Sequence, residues 1–91
     1  MTFRVTNSMT LSGNIYVPNG TAQIENTSTV KGNVWAHGSV TLQNSATIQG
    51  DALSSTDDIT GNGFINDDAT AADDVVTAGL TIGGMDVVEL N

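Results

Sequence analysis

The feature that most constrains this chain is an internal repeat. The segment Met9-Thr10-Leu11-Ser12-Gly13 returns as Ser28-Thr29-Val30-Lys31-Gly32, as Ala46-Thr47-Ile48-Gln49-Gly50 and as Leu80-Thr81-Ile82-Gly83-Gly84. A degenerate unit, Gly63-Phe64-Ile65-Asn66-Asp67, falls between the last two. The second residues of these units, 10, 29, 47, 64 and 81, lie 19, 18, 17 and 17 positions apart. A period this regular means that each unit is one structural turn that buries its apolar face only by stacking on its neighbours. Five turns, approximately 2–19, 20–38, 39–55, 56–72 and 73–90, account for the 91 residues without a second domain.

Within a turn the apolar residues alternate with polar ones, which is the period of a strand. Phe3, Val5, Met9, Leu11, Ile15 and Val17 fall on one side; Arg4, Thr6, Thr10, Ser12 and Tyr16 fall on the other. The pairs Asn7-Ser8 and Gly13-Asn14 interrupt the alternation with residues that tolerate left-handed backbone or bond their own turn. Each unit is therefore three short strands joined by corners, and the expected fold is an all-β, single-domain β-solenoid. Only 4 % of residues are aromatic, which such a fold accommodates because its core consists of aliphatic ladders.

Stacking predicts which residues share a ladder. Val5, Ile24, Leu42, Ile59 and Val76 are expected in one inward column, and Leu11, Val30, Ile48, Ile65 and Ile82 in a second. A third runs Ile15, Val34, Ala52 and Ala69, and is expected to fail at Asp86 by a register shift or fraying. A fourth runs Val17, Ala36, Ser54, Ala71 and Val88. Asn7, Asn26 and Asn44 are expected to form an amide ladder at one corner, with Gly61 succeeding them.

The cadence of Val30-Lys31-Gly32-Asn33-Val34-Trp35-Ala36-His37-Gly38-Ser39-Val40 and of Ile48-Gln49-Gly50-Asp51-Ala52 resembles that of the bactofilins, small polymer-forming bacterial cytoskeletal proteins. It is also similar to the Gly-Asn-rich β-helical stretches of some surface and pilus-associated proteins. The resemblance implies a right-handed β-helix and end-to-end filament assembly without nucleotide.

Solenoid physics leads to the same expectation. Each end presents unpaired strand edges that template another chain, and no polar cap precedes Phe3. The expected assembly interface is Phe3, Val5 and Leu11 at one end and Ile82, Val87 and Leu90 at the other, with the chain itself as partner. Residues 1–51 hold Arg4 and Lys31 against Glu25 and Asp51, whereas residues 52–91 hold eight acids and no base. Repulsion between acidic ends disfavours tail-to-tail joints and leaves head-to-tail or head-to-head ones.

The outward positions carry weaker signals. Tyr16, Trp35 and Leu53, continued by Thr70 and Val87, form an expected lateral stripe, read either as an interface or as a shield over the strands. Asp57, Asp58, Asp73 and Asp74 are the candidate cation cluster, Ca²⁺ being the one cofactor considered, with a 17-residue step stacking Asp57 on Asp74. The same step stacks Asp51 on Asp68. Ser8/Thr10, Thr27/Thr29 and Ser45/Thr47 are expected to form a flat hydroxyl ladder of the kind that binds ice.

Other function classes find little support. A net charge of −8 with two bases disfavours nucleic acid and anionic membranes, and no apolar run is long enough for a membrane span. His37 is the single histidine, in a turn, and no nucleophile elbow or phosphate-binding glycine loop occurs. The expectation is a non-enzymatic structural protein, the alternative being a surface module that binds cation, glycan or ice through a lateral face. The Thr/Asn-rich composition favours an extracellular location over the bacterial cytoplasm.

Overall fold

The computed structural model describes residues 1–84 and 87–90. Each coil contributes short strands: β1 (Thr2–Val5), β2 (Thr10–Ser12) and β3 (Ile15–Val17), then β4 (Thr21–Ile24), β5 (Thr29–Lys31) and β6 (Val34–Ala36). The third and fourth coils fuse two strands into one, giving β7 (Val40–Ile48) with β8 (Ala52–Ser54), and β9 (Ile59–Ile65) with β10 (Ala69–Ala71). The fifth holds β11 (Leu80–Ile82) and β12 (Val87–Glu89). All pairings are parallel and join each coil to the next, so the fold is the β-solenoid that the period predicts. Three faces result. β1, β4 and the first halves of β7 and β9 make one; β2, β5, the second halves of β7 and β9, and β11 make another; β3, β6, β8, β10 and β12 make the third.

Two of the expected columns hold along the stack. Leu11, Val30, Ile48, Ile65 and Ile82 pair in register through all five coils. Ile15, Val34, Ala52 and Ala69 do likewise through four, and the fifth member is Val87. Asp86, where this column was expected to fail, lies outside the described residues. The fourth column holds through Val17, Ala36, Ser54 and Ala71 but ends on Glu89 instead of Val88. The last interval on this face is 18 residues instead of 17, so Val88 turns outward against Thr70.

The first column is corrected more deeply. Leu42 pairs with Gly61, while Ile59 pairs with Val40 and bridges to Val75. The inward column is thus Phe3, Ala22, Val40, Ile59 and Val75, and Val76 is exposed. Two opposite changes produce this shift. The turn before β9 (55–58) is one residue longer than its counterpart in the coil above (37–39), and the following corner is two residues shorter.

That corner explains why the change matters. In the first three coils it is built from Asn7-Ser8, Asn26-Thr27 and Asn44-Ser45, all with φ between 55° and 62°. Left-handed backbone is costly for non-glycine residues, above all for β-branched Thr27. Stacking offsets the cost. The Ser8 and Thr27 amides donate to the Asn26 and Asn44 carbonyls at 3.1 and 3.0 Å. Asn44 Nδ2 donates to Asn26 Oδ1 at 2.8 Å, the expected amide ladder, but Asn26 Nδ2 passes on to Thr6 Oγ1 and not to Asn7. In the fourth coil Asn62 alone lies between Gly61 and Gly63, opposite three residues of β7. Gly61 therefore lies under Leu42, with φ of 125°, and does not succeed Asn44.

Among the described residues the buried side chains are aliphatic apart from Ser28, Ser54 and Glu25, and Gly63 is buried with them. Ser28 Oγ accepts from the Met9 amide at 3.1 Å. Ser54 Oγ donates to the Gly38 carbonyl at 2.7 Å, so both buried hydroxyls are satisfied at coil corners. Gly13 and Gly61 separate strain from collision, since both have positive φ (129° and 125°). A Cβ on Gly13 meets open space, whereas one on Gly61 collides with the Leu42 carbonyl oxygen. Gly13→Ala is expected to cost about 1 kcal/mol and Gly61→Ala at least about 2 kcal/mol more, measured by urea unfolding followed by circular dichroism.

Candidate functional site

The third face carries the most built lateral surface. Along its outward column the side chains shrink, from Tyr16 and Trp35 to Leu53, Thr70 and Val88. Val87 was expected at the end of this column; the one-residue shift of β12 puts Val88 there instead. The Tyr16 and Trp35 rings lie 4.8 Å apart between centroids, tilted by 45°. Trp35 Nε1 donates to Ser55 Oγ at 2.7 Å, so the indole is oriented from two sides.

Flanking this column is a second polar ladder. Asn33 N and Asp51 N donate to Asn14 Oδ1 and Asn33 Oδ1 at 2.9 and 2.8 Å, and Asp68 N donates to Asp51 Oδ1 at 2.9 Å. Each side chain therefore caps the backbone of the coil that follows, and the expected stacking of Asp51 on Asp68 is present. Between the two columns lies a groove of about 310 Å³, lined by Asn33, Val34, Trp35, Asp51, Ala52, Leu53, Asp68 and Thr70.

The two ends differ. At the first, β1, β2 and β3 are paired on one side only. Val5 is buried there, Phe3 and Leu11 are half-buried, and Met9 is 55 % exposed although its column continues inward as Ser28 and Ala46. Met9 therefore belongs to the apolar rim of this end. At the other end Ile82 is half-buried, and Val87 and Leu90 are exposed. Glu89, in an inward column position under Ala71, places its Oε1 3.1 Å from the Val75 amide and accepts its hydrogen bond. An aliphatic column ending in a carboxylate was not foreseen. The register that places Glu89 there follows from the separation of Ile82 and Val87, one residue longer than that of Ile65 and Ala69, which is the register shift expected near Asp86.

The aspartate corner also differs in its step. Asp73 N donates to the Asp57 carbonyl and Asp74 N to Asp58 Oδ1, both at 3.1 Å, so the stacking interval is 16 residues and Asp73, not Asp74, lies under Asp57. Carboxylate oxygens of Asp57, Asp58 and Asp73 come within 4.8 Å of one another; Asp74 is not part of that group. The hydroxyl face is not flat. Thr10, Thr29 and Thr47 share strand positions, but Ser8, Thr27 and Ser45 occupy the left-handed corner. On the first face Arg4 reaches Glu25 Oε1 with Nε and Nη2, at 3.0 and 2.7 Å.

No protein-family model, curated protein or solved structure matches the chain. The class defined by the geometry is a short, strongly acidic β-solenoid with one apolar end, one carboxylate-bearing end and a grooved lateral face.

Clustered carboxylates repel, and the effect is screened by salt. Asp57→Asn is therefore expected to raise the melting temperature at low ionic strength. The difference should shrink towards zero in about 1 M salt, where the Debye length is about 3 Å, as read by thermal melts across a salt series.

Proposed function

We propose that this chain is a non-enzymatic structural protein whose copies stack end to end through their terminal coils into a filament, the behaviour that the resemblance to bactofilins implies. The observation that supports the reading is that, among the described residues, three parallel ladders run the length of the stack and their outermost strands, β1, β2 and β3 on one side and β11 and β12 on the other, are each paired along one edge. Such edge strands template further strands. The aliphatic column ending at Leu11 would continue into one ending at Ile82, and that ending at Ile15 into one ending at Val87.

Charge favours a joint between unlike ends. The first coil contributes Arg4 and no acid, whereas the last two are acidic throughout, so a head-to-tail stack separates the acidic coils of successive copies. Glu89 works against the joint, because it occupies the Val75 amide that an added strand would take. Inward-pointing charge of this kind is a common guard on strand edges. Assembly then requires Glu89 to swing away, which sets the concentration at which stacking begins.

Sedimentation and negative-stain electron microscopy test the reading. The expected product is a fibre with an axial repeat of five coils, about 24 Å at ~4.8 Å per coil. A sharp monomer at high concentration would overturn it. Glu89→Val restores an aliphatic column end and should lower the concentration needed for assembly about tenfold. Met9→Asp places an acid on the apolar rim and should raise it by a similar factor.

A further inference from the structure

The groove beside Trp35 is left unexplained by stacking, since it lies on the third face, clear of both ends. One wall is the Trp35 indole, oriented by Tyr16 and by its bond to Ser55. Leu53 and Thr70 line it in the same column as Trp35, and Asn33, Asp51 and Asp68 line its other side. The corner ladder itself shows what this last side requires. Asn14 and Asn33 supply a neutral side-chain oxygen to the next coil's amide, and Asp51 does the same with a full charge. The charge is surplus to the ladder, and it enters the column at the coil over which the groove opens.

An oriented indole, the apolar Leu53 side chain and two carboxylates on one groove match a planar cation on an apolar stem. Arginine meets that description better than lysine, because its guanidinium stacks flat on an indole while forking onto carboxylates. We propose that this groove binds an arginine side chain of a basic partner protein, with the guanidinium between Trp35 and the Asp51/Asp68 wall and its stem over Leu53. The chain's one arginine pair, Arg4 with Glu25, is already made, which directs the groove towards an arginine from another protein. A net charge of −8 draws such a partner in. The inference does not depend on end-to-end assembly, and it applies to a single copy as to a stack.

Trp35 is the only tryptophan, so its fluorescence reports on the groove directly. The protein is titrated at low ionic strength with the blocked peptide acetyl-Gly-Arg-Gly-Arg-amide and, in parallel, with its citrulline analogue, which keeps the shape and removes the charge. A saturable change with the arginine peptide alone is expected. Asp51→Asn with Asp68→Asn should weaken it about tenfold, whereas Asp73→Asn with Asp74→Asn, the same change of charge at another corner, should alter it less than about twofold. An equal response to citrulline, or equal weakening in the two variants, overturns the proposal, as does no response to either peptide. Asn already occupies this column at 14 and 33, so the first variant keeps the ladder; the citrulline comparison uses the unaltered protein.

Discussion

The parallel backbone pairing between successive coils is the interaction on which the rest of this structure depends. Strands in such a ladder lie ~4.8 Å apart, too close for a residue to escape the one above it. Whatever a coil places inward must therefore suit the same position in its neighbours. Ile48, between Val30 and Ile65, and Ala52, between Val34 and Ala69, show this in the core. The same rule makes polar ladders at the corners, because an amide or carboxylate placed there meets the backbone of the adjacent coil. Side chains at Asn33 and Asp51 cap amides that would otherwise be open at a bend, and so turn a sharp corner into a hydrogen-bonded one.

This coupling also explains how strained conformations persist. Among the described residues, six non-glycine residues with positive φ would be costly in isolation, yet they occur as three stacked pairs that bond one another through backbone and side chain. The fourth coil abandons the pair altogether and straightens into β9 across Asn62. Gly61 is what permits the straightening, since its backbone passes beneath Leu42 too closely for any side chain.

The fold was legible because a repeat of about 18 residues with strand alternation has few solutions. Register was legible only where the coils have equal segment lengths. Leu11 to Ile82 could be read through all five coils because that strand follows the repeating Thr and precedes the repeating Gly, which anchor the alignment. Ile59 was misplaced under Leu42 because an inserted turn residue and two deleted corner residues nearly cancel, leaving the spacing between Thr47 and Phe64 at an unremarkable 17. Val88 and Val87 were exchanged for a similar reason. Two adjacent valines fit either register equally, and apolar pattern cannot choose between them. The groove escaped the sequence because it is a difference in height between stacked side chains. Trp35, Leu53 and Thr70 were read into one column and Asp51 onto Asp68, but the space between the two columns depends on side-chain conformations that the repeat does not encode.

The distribution of charge follows from the same stacking constraint. Like charges placed in register lie at strand spacing and repel along the whole column, so an acidic solenoid must spread its acids among columns or end them early. Here the corner ladder stays neutral through Asn14 and Asn33 and becomes charged only at Asp51 and Asp68, while the next acidic corner begins only in the fourth coil, with Asp73 under Asp57 and Asp74 under Asp58. The acids thus accumulate towards one end, and among the described residues each carboxylate column is two coils deep. A stack of coils built this way has a direction: the apolar rim of Phe3, Met9 and Leu11 faces one way and Glu89 faces the other. Polarity in a β-solenoid can reside in the coils themselves. It is written into the coils here, whose corners are neutral at Asn14 and Asn33 and acidic from Asp51 onward.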